Sequence, residues 1–189
     1  MRYLIVCGGK IDKEFGLNEI KTDGIDAIIA ADSGMDFLYE NGVTPDIIVG
    51  DFDSATTKAL EFFERKGQTE IHRLNPIKDD TDTEYAIRLA IREGARSIVL
   101  LGATGSRIDH VLGNISLLGI GLESGTDISI IDTNNRIRMA DRPVTIEKSA
   151  QYGRFVSLIA VTDDNEVSLR GFKYPVTDYS FDRFTSLGI

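Results

Sequence analysis

Over the first two thirds of the chain, short apolar runs alternate with longer amphipathic ones, the pattern of strand and helix units repeated around a parallel sheet. The strand runs are Tyr3 to Val6, Ala27 to Ala31, Asp46 to Val49, Glu70 to Arg73 and Ser97 to Leu101. The helical segments between them are Met35 to Asn41, stopped by Gly42 and Pro45; Ala55 to Lys66, stopped by Gly67; Thr83 to Glu93, stopped by Gly94; and Ile108 to about Glu123. The segment from Thr83 is the clearest helix, because Ala86, Leu89, Ala90 and Glu93 keep helical spacing while Arg88 and Arg92 fall on another face. After Gly125 no long helical pattern remains. Ile128 to Ile131, Arg136 to Ala140, Val144 to Ile146, Phe155 to Ile159 and Glu166 to Arg170 read as strands, with Asn134-Asn135 and Asp164-Asn165 as turns. The expected architecture is a doubly wound, mainly parallel α/β domain over residues 1–125, followed by a smaller all-β sandwich domain over 126–189.

Composition narrows the function classes. The chain of 189 residues is 42% hydrophobic and 27% charged, which is ordinary globular usage. A formal charge of −9 repels nucleic acid and anionic lipid, so neither is an expected partner, and a polyanionic ligand needs a local cation to reach the surface. One cysteine, Cys7, forms no internal disulfide, and with two histidines it supplies no zinc site of the usual kind. No segment approaches the roughly 20 apolar residues that span a bilayer, and the first apolar run is too short for a signal peptide. A cytoplasmic location is expected.

The chemistry lies in the acidic clusters. Gly50-Asp51-Phe52-Asp53-Ser54, Lys78-Asp79-Asp80-Thr81-Asp82 and Gly105-Ser106-Arg107-Ile108-Asp109 each stand between a strand end and a helix start, and Asp32-Ser33-Gly34 makes a fourth such junction. In an open parallel sheet these junctions share the carboxyl edge, where ligands of such folds bind. Part of the charge has a structural account: Thr81 with Glu84 and Ser106 with Asp109 fit capping boxes, Ser54 fits the cap of the helix that follows it, and Asp53 and Asp82 suit a first helical turn. Asp51, Asp79 and Asp80 precede their caps and are left over. Carboxylates brought together from separate loops are costly unless a cation joins them, and all-oxygen ligands suit Mg2+, with Mn2+ the other ion that fits.

Phosphate would find backbone donors at Gly8-Gly9 and at Gly102-Ala103-Thr104-Gly105, and cations in Lys78 and Arg107, although a surface ion pair with the neighbouring aspartates accounts for either cation equally well. Other familiar chemistries are absent. There is neither a Gly-x-x-x-x-Gly-Lys-Ser/Thr loop nor a Gly-x-Ser-x-Gly elbow. His72 and His110 have no evident catalytic partner, and Cys7 reads as a small buried residue.

In their order and spacing, Ala31-Asp32-Ser33-Gly34, Pro45-Asp46 with Gly50-Asp51-Phe52-Asp53-Ser54, Lys78-Asp79-Asp80-Thr81-Asp82 and Gly102-Ala103-Thr104-Gly105-Ser106-Arg107-Ile108-Asp109-His110 resemble the thiamine pyrophosphokinases. The likeness extends to Leu169-Arg170-Gly171-Phe172-Lys173-Tyr174-Pro175 and covers almost the whole chain. It implies transfer of diphosphate from ATP to thiamine, with Mg2+, by a homodimer in which the α/β domain binds ATP and the β domain helps to form the thiamine site. By position, Asp51, Asp53, Asp80, Asp82 and Asp109 match the family's metal and catalytic residues, with Asp51, Asp80 and Asp109 expected nearest the metal and either Asp82 or Asp53 orienting the alcohol. Asp32, Ser33, Lys78, Thr81, Thr104, Gly105 and Arg107 match its nucleotide-binding loops. Members of the family continue past a Gly-x-Ser-Asn segment, whereas this chain stops at Ser186-Leu187-Gly188-Ile189, so the second domain is expected to be incomplete. Two rival readings are a haloacid-dehalogenase-like phosphatase, from the strand before Asp51-Phe52-Asp53, and a non-catalytic nucleotide- or thiamine-binding protein.

Overall fold

A strand covered on both faces reads as a continuous apolar run, because its successive side chains point to opposite sides and both sides must be dry. The computed structural model, which describes residues 1–53, 56–75, 80–163, 165–186 and 188–189, builds most of its larger sheet from such strands, with a polar, half-exposed strand at either edge. They are β1 (Arg2–Val6), β2 (Ala27–Ala31), β3 (Ile47–Gly50), β4 (Glu70–Arg73), β5 (Ser97–Leu101), β6 (Asp127–Ile131) and β7 (Arg136–Arg138), in the spatial order β4-β3-β2-β1-β5-β6-β7. All neighbours are parallel except β7, which runs antiparallel to β6.

The helices divide between the two faces as the alternation demands. Tyr3, Ile5, Ile29, Val49, Ile98 and Leu100 pack with Ala86, Ile87 and Ala90 of α4 (Asp82–Arg92) and Leu118 of α5 (Ile108–Ser124). The intervening residues Leu4, Val6, Ala30, Ile48, Val99 and Leu101 pack with Met35 and Leu38 of α2 (Gly34–Glu40) and with Ala59 and Phe63 of α3 (Thr57–Lys66). Each fully buried Val, Leu, Ile, Met or Phe among them contributes about 1.5–3 kcal/mol. The chain leaves β1 for β2 on one side, while β5 lies on the other, so the topological switch point is the crevice beyond the carboxyl ends of β1 and β5.

One helix goes beyond the sequence pattern. Residues 13–20 form α1 (Lys13–Ile20), started by Asp12, whose Oδ1 accepts from Phe15 N at 2.9 Å. Its apolar periodicity is weak and Gly16 interrupts it; Ile11, Phe15 and Ile20 nevertheless pack on the α2–α3 face. The first compact unit runs from Met1 to Glu147, later than the 125/126 division expected from the change of texture, because β6 and β7 continue the large sheet instead of starting a new one.

The second unit, Lys148–Ile189, is the smaller β part. After a 3-10 turn at Lys148–Ala150 it contains β8 (Asn165–Leu169) paired antiparallel with β9 (Val176–Phe181). Ser168 Oγ donates to Asp178 Oδ1 and accepts from Asp178 N, both at 2.9 Å, across the irregularity in their register. Val144–Ile146 and Phe155–Ile159, expected as strands, lie outside any strand, and β9 had not been expected. Of the expected turn at Asp164-Asn165, Asn165 begins β8, and Asp164 lies outside the described residues.

Candidate functional site

The site begins where β3 ends. After Gly50 the chain turns at Phe52 with φ 64°, a left-handed conformation that is uncommon for a bulky side chain and costs on the order of 1–3 kcal/mol. The turn brings the two flanking aspartates together: Asp53 N donates to Asp51 Oδ1 at 3.2 Å. The Phe52 ring lies against Gly50, where a Cβ would come within 3.2 Å of it. On Phe52 rests the guanidinium of Arg73, 5.4 Å from the ring centroid and itself paired with Glu64.

Asp32 supplies the third carboxylate. It follows β2 with φ 49°, and its N–H donates to Val49 O at 2.8 Å, so the ends of β2 and β3 are tied side by side. One carboxylate oxygen from each of Asp32, Asp51 and Asp53 lies within 4.8 Å of the others. At an effective dielectric constant of about 20, each pair of charges so placed repels by at least about 3.5 kcal/mol. A hard divalent cation reverses that sign, and the donor set, all carboxylate oxygen, fits Mg2+ or Mn2+. Ser33 and Gly34 carry the chain from Asp32 into α2, pressed on the end of β1: a Cβ on Gly34 would fall 2.0 Å from Val6 O, and one on Gly8 would fall 2.2 Å from Ser33 Oγ.

The other expected residues are disposed as follows. Thr81 caps α4, accepting from Glu84 N at 3.2 Å, while the Glu84 carboxylate takes Arg88 instead of returning to the cap. The Arg88 guanidinium is raised above its ordinary pKa, chiefly by its hydrogen bond to Glu84. Asp82 sits in the first turn of α4. Among the described residues Asp80 and Asp109 do not join the cluster of Asp32, Asp51 and Asp53. Lys78, Asp79 and the expected cap Ser54 lie outside the described residues; α3 starts from Thr56. Asp109 forms an exposed pair with Arg107 at 2.6 Å, and this guanidinium holds its carboxyl below the usual carboxylate range. Arg107, rather than Ser106, is the N-cap residue of α5, without a side-chain capping bond.

At the switch point, Gly9 N donates to Gly102 O at 2.9 Å, so this N–H joins β1 to β5 and is not directed at a ligand. Gly102 has φ 73°, and a Cβ there would lie 2.6 Å from Cys7 O. Thr104 Oγ1 donates to Asp132 Oδ2 at 2.8 Å, and Asn114 Nδ2 reaches Ala103 O at 2.8 Å, fixing the loop that also carries Gly105. Burial would raise the Asp132 carboxyl, but hydrogen bonds from Asn134 N, Thr104 and Asn135 outweigh it and leave the pKa lowered. His72 bridges Glu70, at 2.6 Å, and the Tyr85 hydroxyl, at 3.2 Å, spanning β4 and α4.

Two features escaped the sequence reading. Asp32 had been assigned to a nucleotide loop and not to the carboxylate cluster. Asp36, one helical turn beyond it, had no role at all, yet it accepts from Thr56 N at 3.1 Å and from Thr56 Oγ1 at 2.5 Å. The i, i+4 spacing of the two aspartates at a helix start was the available signal.

Comparison with known proteins places these residues in context. Residues 21–130 match the family model described as "Thiamin pyrophosphokinase, catalytic domain", and residues 143–189 match "Thiamin pyrophosphokinase, vitamin B1 binding domain". The thiamine pyrophosphokinase of Bacillus subtilis (strain 168) is 36% identical over 152 residues, 79% of this chain and 70% of that protein. A crystal structure of thiamine pyrophosphokinase from Bacillus subtilis superposes with a TM-score of 0.87 at 32% identity, over 100% of this chain and 88% of the other. One from Geobacillus thermodenitrificans gives 0.76 at 28% identity, over 97% and 84% of the respective chains. These matches do not favour the phosphatase or the non-catalytic reading. No described helix is long and apolar enough to cross a membrane.

Proposed function

This chain belongs to the thiamine pyrophosphokinase family, and on that premise we propose that it transfers the diphosphate group of ATP to thiamine, giving thiamine diphosphate and AMP, at the acidic carboxyl edge of its large sheet. The observation that carries the reading is the convergence of Asp32, Asp51 and Asp53 in a chain matched by both family models. The reaction needs the alcohol oxygen of thiamine to attack the β-phosphorus in line while negative charge on the phosphates is offset. Asp51 would hold Mg2+ or Mn2+ with Asp32 and Asp53, and Asp80 and Asp109 would act from the neighbouring loops, directly or through water. When bound, the metal supplies charge neutralisation on the phosphates. Arg107 and Lys78 would bind phosphate oxygens, with Arg107 exchanging its pairing to Asp109 for that contact. Ser33, Thr81, Thr104 and Gly105 would line the nucleotide. Asp82 or Asp53 would orient the hydroxyl and accept its proton.

The unit from Lys148 would contribute to the thiamine site, in a homodimer, in the cytoplasm. With ATP, thiamine and Mg2+ the protein is expected to form AMP only when all three are present. Asp80→Asn should lower turnover while leaving the circular dichroism spectrum intact. An unchanged response of that variant to a Mg2+ titration would remove Asp80 from the metal's surroundings.

A further inference from the structure

Thr56 is the N-cap residue of α3 and makes no side-chain capping bond there. Its hydroxyl instead donates to Asp36 Oδ1 at 2.5 Å, and its N–H reaches Asp36 Oδ1 and Oδ2 at 3.2 and 3.1 Å. A Thr that forgoes its own cap gives up local helix stability, so the bond to Asp36 has to be understood by what it holds. Asp36 lies in the first turn of α2, four residues after Asp32, and Thr56 lies three residues after Asp53. The near end of the acidic turn is fixed by Asp32 N on Val49 O and by Leu74 N on Gly50 O, at 2.8 and 2.9 Å. Thr56, three residues after Asp53, is held by Asp36. The start of α2 therefore follows one carboxylate of the cluster and holds a residue close in sequence to the other two.

We propose that Asp36 is a positioning residue: by gripping Thr56 it holds Asp51 and Asp53 against Asp32 before a divalent cation arrives. Without the grip, the mutual repulsion of the three carboxylates opens the turn, and the cation must close it again at the expense of affinity. The inference rests on the metal reading of this cluster given above.

The test is Mn2+ binding, measured by calorimetry on the full chain without nucleotide, for wild type, Asp36→Ala, Thr56→Val, Thr56→Ser and Asp51→Asn. Thr56→Val and Asp36→Ala are expected to weaken Mn2+ binding by roughly tenfold to a hundredfold, the range for residues that orient metal ligands. Thr56→Ser, which keeps the hydroxyl, should retain wild-type affinity. In turnover, the loss in Thr56→Val should be recovered by raising Mn2+, with KM for thiamine unchanged, which a general loss of stability would not produce. Thr56 is exposed, so Thr56→Val reports on folded protein even where Asp36→Ala does not fold. Wild-type affinity in Thr56→Val alongside lost binding in Asp51→Asn overturns the inference alone. Wild-type affinity in Asp51→Asn overturns the metal reading and this inference with it.

Discussion

Phe52 holds a left-handed backbone between two aspartates, and its neighbours explain how: Gly50 leaves room for the ring, Arg73 covers it, and the peptide N–H of Asp53 is turned back onto Asp51. That Asp51 and Asp53 fall together at a strand exit was legible in the sequence, and Asp51 is charge that a helix cap does not use. That Asp32 joins them was not, because the partner comes from another strand and only the β2–β3 pairing brings the two exits together. Cys7 illustrates the reverse case, a residue whose inert reading follows directly from its surroundings. Burial pushes its thiol up to about 11, against a weaker opposing bond from Thr83. The folded chain keeps this proton where the unfolded chain, with an ordinary thiol pKa of 9.0, releases it. The stabilisation is thus complete below pH 9 and is lost as pH rises toward about 11, by at most about 3 kcal/mol. Urea unfolding of wild type and Cys7→Ala across this window should show the extra downward slope in wild type alone.

At the scale of elements, the central parallel strands were readable because burial on both faces favours continuous apolar runs, and the ranges Ala27–Ala31 and Ser97–Leu101, with the more polar edge strand Glu70–Arg73, are those the pattern predicts. The helix α1 was hidden by its low amphipathic contrast and β9 by its largely exposed residues, whereas β6, β7 and β8 fall where Ile128 to Ile131, Arg136 to Ala140 and Glu166 to Arg170 were expected. Within α3 the neighbours Phe62 and Phe63 look alike in sequence but differ in burial, 37% exposed against 0%. Phe63→Ala should cost about 3–5 kcal/mol in chemical denaturation and Phe62→Ala much less. Thr81→Ala removes the cap of α4 and should cost about 1 kcal/mol, read as a lower Tm. Because Thr81 also separates Asp80 from Asp82, a fall in turnover beyond that predicted from stability would mean that the cap orients the acidic stretch as well as starting the helix.

For the whole molecule, the strand order places β1 and β5 at the centre and sets the carboxyl ends of β2 and β3 side by side, which is how Asp32 comes to meet Asp51 and Asp53. The first compact unit extends to Glu147 because β6 and β7 complete the large sheet, although they carry the same short-strand texture as the unit that follows. The central claim, that this edge moves an intact diphosphate, is tested most directly with ATP radiolabelled at its β-phosphorus, incubated with thiamine, Mg2+ and the protein. The label is expected in thiamine diphosphate, with unlabelled AMP as the other product. Label retained in ADP, or recovered as free phosphate, would contradict the account.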